Sequence, residues 1–158
     1  VSNAVDYGKL SEDLGKKIET DGYKVINTET AEQANLDWAK KGYTDPPVAN
    51  NTTVYNVEAG NYHYVRTYNT NWDNYNGKWI MRAEDIEGLS AKEIAEKYAM
   101  PTPPDMICDV KMPNDTPLEV SVVGEQPNWN ASAGGNTQYG IKDVETSEGW
   151  YVNKRPLK

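Results

Sequence analysis

Leu10, Leu14 and Ile18 recur every four residues, which sets them on one face of a helix closed by Asp21-Gly22. Tyr23 to Asn27 alternates enough to predict a short strand. Thr30 followed by Gln33 is a capping box, so a second helix is predicted from about Ala31 to Lys41, with Ala34, Trp38 and Lys41 on one side. Gly42 suits its C-cap, and Pro46-Pro47 prevents continuation. From Thr53 the apolar period changes to two. Strands are predicted from Thr53 through Val57, over Tyr62–Tyr68 and over Lys78–Met81, with a polar loop at 69–77. Ser90 and Glu93 form another capping box, opening a helix that presents Leu89, Ile94 and Tyr98 inward. After the rigid Pro101-Thr102-Pro103-Pro104 connector come strands at Met106–Lys111, Leu118–Val123 and Thr137–Lys142, and a last one near Trp150–Asn153. Short loops between strands, rather than regular strand–helix–strand spacing, predict an α+β fold. Its sheet is mostly antiparallel, twisted as one or split in two, behind a helical N-terminal lead-in.

At 158 residues the chain is about one domain. The Asp45-Pro46-Pro47 break divides it into a lead-in, residues 1–45, and a main unit, residues 46–158. The lead-in is expected to serve delivery or packing and to be dispensable for chemistry, because every candidate catalytic group lies beyond the break. Sixteen basic against 24 acidic residues leave a net charge of −8, which argues against a broad basic surface tracking phosphate backbones. No apolar run is long enough for a membrane span, and no leader with a charged then apolar region is visible. A single cysteine, Cys108, excludes an internal disulfide framework and reads as core. A single histidine, His63, excludes multi-histidine metal sites, and no metal is expected. The acidic turn at Glu84, Asp85 and Glu87 reads as a solvated cluster. The four N-x-S/T triplets, at Asn50, Asn51, Asn114 and Asn130, are what an asparagine-rich chain produces by chance.

Three places could carry chemistry. Arg66 sits amid Tyr64-Val65-Arg66-Thr67-Tyr68, where a strand-borne guanidinium can fork onto a phosphate or carboxylate; the competing reading is an outward-facing or structurally paired arginine. Ala133-Gly134-Gly135-Asn136-Thr137-Gln138-Tyr139 combines a glycine pair, able to approach a ligand and present N–H groups to an anion, with a strand beginning in Thr and Gln. Gln138 can orient a ribose hydroxyl or a water but cannot act as a general base; the plainer reading of the segment is a glycine-rich hairpin loop. His63 is a candidate acid or base, although an odd separation puts it on the side of a regular strand opposite Arg66.

These pieces, taken in order with Trp79-Ile80-Met81, Glu84-Asp85-Ile86, Gly88-Leu89-Ser90, Lys97 to Pro101 and Asp109 to Pro113, resemble a toxin-domain pattern. The pattern is that of bacterial polymorphic toxins, the C-terminal warheads of contact-dependent growth inhibition effectors. The last pieces are also similar to the tuberculosis necrotizing toxin family of NAD glycohydrolases, whose fold is related to ADP-ribosyltransferases. That similarity carries its turn onto Ala99-Met100-Pro101, its catalytic glutamine onto Gln138 and a cofactor-anchoring arginine onto Arg66. It departs where that family has a functional histidine after the turn, since Asp105-Met106-Ile107 stands there. The resemblance implies an enzyme delivered by a larger secreted effector into a target-cell cytoplasm, with NAD as substrate. Arg66, Gln138 and His63 would be catalytic, and Tyr64, Tyr68, Gly134, Gly135, Thr137 and Tyr139 would bind substrate. It also implies a cognate immunity protein, for which an acidic toxin favours a basic patch. The alternatives are a ribonuclease toxin cleaving tRNA, with a host factor to deliver it, and a non-catalytic immunity or binding protein.

Overall fold

The structure is a computed structural model that describes residues 5–127 and 134–158. Most of the loop expected at 128–136, with Ala133 and the Asn130 triplet, lies outside them. Helix α1 (Tyr7–Asp21) starts where the Asp6 carboxylate accepts the Lys9 N–H at 3.0 Å and stops at Gly22, whose left-handed φ of 74° suits glycine. Strand β1 (Val25–Thr30) follows, then α2 (Ala31–Lys40), capped by the Thr30 hydroxyl on the Gln33 N–H. Next come β2 (Thr53–Glu58), β3 (Tyr64–Tyr68), β4 (Trp79–Arg82) and the one-turn α3 (Ala83–Ile86). Helix α4 (Ala91–Lys97) carries the full Ser90–Glu93 capping box. Strands β5 (Met106–Val110), β6 (Pro117–Val122), β7 (Thr137–Gly140) and β8 (Tyr151–Pro156) complete the chain.

Two local expectations shift. The first strand begins at Val25 rather than Tyr23, because Tyr23 turns into the core and shares a hydrogen bond with the Tyr64 hydroxyl. The acidic turn forms the helix α3 and its C-cap Glu87, and two of its three charges are paired: Glu84 with Arg82, and Asp85 with Lys17 of α1.

The eight strands form one antiparallel open sheet in the order β1-β2-β6-β7-β4-β3-β5-β8. Directly paired antiparallel residues share a face. One face therefore carries Val57, Leu118, Val120, Tyr139, Ile80, Tyr64 and Cys108, and α1 covers part of it with Leu14 and Ile18. The other face carries Val54 under Ala31 and Ala34 of α2, and Val65, Met81 and Ile107 under Ile86 and Ile94 of α3 and α4. Both faces of β3 are buried, the polar Arg66 and Thr67 included. Leu14 and Ile18 of the lead-in lie in the same core cluster as the central strands, with Leu10 partly buried beside them.

β4 is the hinge of this sheet. Its first two residues pair with β7, as Trp79↔Gly140 and Ile80↔Tyr139. Its last two pair with β3, as Met81↔Val65 and Arg82↔Tyr64. The β3–β4 ladder ends there, so the sheet splits between the far halves of these strands.

Candidate functional site

A cavity of about 530 Å³ opens at the split, within the usual size range of small-ligand sites. The segment after α2 supplies Tyr43, Thr44 and Asp45, and the segment after α4 supplies Tyr98, Met100 and Pro101. The 69–78 loop adds Trp72, Asp73 and Lys78, while the sheet contributes Arg66, Thr67, Trp79, Met81 and Gln138.

One wall is aromatic. Trp38, wholly buried, lies 4.4 Å between centroids from Trp79 and 5.0 Å from Tyr43. Gly140 makes this possible: a Cβ there would come within 2.9 Å of both the Trp38 and Trp79 rings. The Trp38 indole N–H donates to Glu119 Oε1 at 2.7 Å, and the other Glu119 oxygen meets Lys142 Nζ at 2.6 Å. Lys142 also reaches Glu29 of β1 at 3.4 Å and Asp37 of α2 at 3.7 Å. Burial pushes the Glu119 carboxyl above its ordinary range, and the bonds from Lys142 and Trp38 pull it back only in part.

Arg66 and Gln138 both border the cavity, from opposite faces of the sheet. Register puts Gln138 with Met81 and Val65, whereas Arg66 pairs with Cys108 on the α1 side. Both can border one cavity because the strands part at this point. Arg66 is buried and largely committed: Nε donates to the Asn74 carbonyl at 2.8 Å, Nη1 to the Trp79 carbonyl at 2.8 Å, and Nη2 reaches Asp73 Oδ2 at 3.4 Å. Three of a guanidinium's five N–H groups are thereby engaged. Gln138 Nε2 donates to the Pro47 carbonyl at 2.8 Å and to Ser121 Oγ at 3.1 Å. Beside them, burial raises the Asp73 carboxyl above its ordinary value, against the pull of the Asn69 N–H and of Arg66.

The other expected site residues lie elsewhere. Tyr64, Tyr68 and Tyr139 are buried in the α1-side core, and Thr137 pairs with Val122 on that same face. Gly134 and Gly135 have φ of 69° and 101°, which explains the glycines, but their N–H groups donate to the carbonyls of Glu96 and Val123. His63 borders a separate groove with Arg155 and Lys158. Its Nε2 is 3.0 Å from Asp109 Oδ1, and Asp109 also receives Asn153 and Arg155. Burial opposes ionisation of Asp109, yet the His63 and Asn153 bonds and the Arg155 charge outweigh it and hold its carboxyl below the usual range. Cys108 is fully buried, and burial raises its thiol pKa.

Sequence reasoning missed Tyr43, Asp45, Trp72, Asp73, Lys78 and Trp79, the first two of which belong to the 1–45 lead-in expected to be dispensable for chemistry. The available signal was aromatic residues within polar, glycine-bearing segments next to strand ends. Among the described residues no group of three His, Cys, Asp or Glu side chains could hold a metal ion, and no helix is long and apolar enough to cross a membrane. No protein-family model, curated protein or solved structure matches the chain.

Proposed function

We propose that this domain is a cytotoxic effector that consumes NAD in the cavity at the split, as a glycohydrolase or an ADP-ribosyltransferase. The observation that carries the reading is the meeting of Gln138 from β7 and Arg66 from β3 on one cavity with the aromatic rings of Tyr43, Trp72 and Trp79. A nicotinamide ring in NAD is a flat cation, and aromatic faces attract such cations by about 0.5–2 kcal/mol. Asp45 and Asp73 add acceptor groups of opposite sign to that cation, while Lys78 is the donor for a pyrophosphate.

In the hydrolytic form the bond between ribose C1′ and the nicotinamide nitrogen breaks. Its electron pair passes to the ring, which leaves neutral; water adds to C1′ and releases a proton. Such a departure needs placed dipoles more than a strong base. The two bonds donated by Gln138 fix its amide plane, so its carbonyl oxygen accepts from a ribose hydroxyl or the water in a set direction.

The test is incubation of the purified domain with NAD, with nicotinamide and ADP-ribose quantified by chromatography, and in parallel with total tRNA. NAD loss is expected, with Gln138→Ala slower by about 100-fold, the scale found for removing one placed polar group. The proposal falls if NAD persists, alone and with a target-cell lysate as acceptor. The second reading, a ribonuclease, draws on the exposed His63 paired with Asp109 beside Arg155 and Lys158. It predicts tRNA cleavage that His63→Ala abolishes. A cognate immunity protein with a basic patch is proposed as partner; binding that is insensitive to ionic strength would remove that electrostatic part.

A further inference from the structure

We infer that Arg66 is a positioning residue, whose guanidinium clamps the returning half of the 69–78 loop across the split and so holds Trp72 and Asp73 at the cavity. The inference deepens the NAD reading, and only its kinetic measurement rests on that reading.

β3 leaves the sheet at Tyr68 and the chain re-enters at Trp79. Between these points the β3–β4 ladder supplies no further pairs, so the loop must find other partners. Its start is held from outside: Thr70 donates its N–H and hydroxyl to Asp105 at 3.0 and 2.8 Å, and the Asn69 amide donates to the Pro103 carbonyl at 2.8 Å. Its return is held from within by Arg66, which takes the carbonyls of Asn74 and Trp79 with two different nitrogens, and at its end by the Ile141 N–H on the Lys78 carbonyl at 2.9 Å and the Tyr151 hydroxyl near the Gly77 carbonyl. Asp73 links the two ends, receiving the Asn69 N–H at 2.7 Å on one oxygen and facing Arg66 with the other. A planar fork on a rigid strand can serve acceptors in three directions; a lysine ammonium on a flexible stem cannot keep that geometry.

Gly77 provides the independent observation. A Cβ at this position would overlap the Arg66 guanidinium, so the loop is glycine where the clamp passes. Gly77 is not among the positive-φ glycines, so its residue type answers to the space the guanidinium takes rather than to backbone conformation. Gly77→Ala therefore displaces the guanidinium while leaving its charge and every donor in the chain.

The experiment compares wild type, Arg66→Lys, Gly77→Ala and Asp73→Asn. The first measurement is native-state chymotrypsin cleavage after Trp72, read by mass spectrometry and corrected for global unfolding. Arg66→Lys and Gly77→Ala are each expected to raise cleavage tenfold or more. Asp73→Asn, which alters the longest of the three contacts, is expected to raise it less. The second measurement is the KM for NAD, which both clamp variants should raise by more than they lower kcat. Cleavage within twofold of wild type in both clamp variants overturns the inference. So does loss of NAD binding in Arg66→Lys with normal binding and a protected loop in Gly77→Ala, which would make Arg66 a direct anchor. If Arg66→Lys does not fold, Gly77→Ala decides on cleavage. If wild type does not turn over NAD, the functional reading falls while the cleavage result still judges the clamp.

Discussion

Replacing Trp38 by Phe probes the strut that ties α2 to the sheet and backs the aromatic wall of the cavity. Trp38 is wholly buried and Glu119 is 1% exposed, so the 2.7 Å bond between them is closed to water. Phe keeps a ring against Trp79 but has no donor. A hydrogen bond to a charged group contributes about 1.5–3 kcal/mol net. The missing part of the indole leaves a cavity of about 30–40 Å³, which at about 24 cal/mol per Å³ costs a further 1 kcal/mol or so. The sum is about 2.5–4 kcal/mol. For a chain of this size each kcal/mol lowers Tm by about 2–4 °C, so a fall near 10 °C is expected.

The same substitution in a Glu119→Gln background isolates the charge. The amide of that background still offers an oxygen to the indole, but a neutral bond contributes only about 0.5–1.5 kcal/mol. Trp38→Phe should then cost about 2 kcal/mol, giving a coupling of about 1–1.5 kcal/mol between the two positions. Urea unfolding followed by far-ultraviolet circular dichroism is the appropriate assay, because tryptophan fluorescence changes with the substitution itself. A cost below about 1 kcal/mol for Trp38→Phe, or a coupling within about 0.3 kcal/mol of zero, would show that the carboxylate does not hold the indole as described.

Gly140→Ala places a methyl 2.9 Å from both the Trp38 and Trp79 rings, and such overpacking should destabilise by about 1–3 kcal/mol in the same urea assay; an unchanged midpoint would mean that the rings move aside freely. Asp109 is held below the ordinary carboxylate range, so its contribution is present above the unfolded value of about 3.9 and is lost as pH falls through the lower folded value. Asp109→Asn should therefore lower Tm at neutral pH by an amount that shrinks in acid, and a deficit constant from pH 7 to 2 would contradict this. Buried Cys108, with its thiol pKa raised, should react with a water-soluble disulfide reagent about 100-fold more slowly in the native state than after denaturation; comparable rates would place the sulfur at the surface.

The local elements were legible in the sequence because their causes are local. The Leu10, Leu14 and Ile18 spacing, the Ser90–Glu93 box and the alternation from Thr53 each reflect energies set within a few residues, and helices and strands stand close to where those patterns lie. Arg66 and Gln138 were also readable as candidates, since an arginine inside an apolar strand and a glutamine at the head of one are exceptions to their surroundings. The site itself was not readable. Trp38 meets Glu119, Gln138 meets Pro47, and Tyr43 meets Trp79, partners separated by dozens of residues that no local period connects. Which of them touch depends on strand order, and above all on a four-residue strand that gives half its length to β7 and half to β3. Tertiary structure alone decided that Arg66 would donate to the carbonyls of Asn74 in the loop and Trp79 of β4, and that the glycine pair before Gln138 would bind the backbone of Val123 and Glu96. Buried polar groups must find partners where the packed chain provides them, and that supply is a property of the fold rather than of any segment.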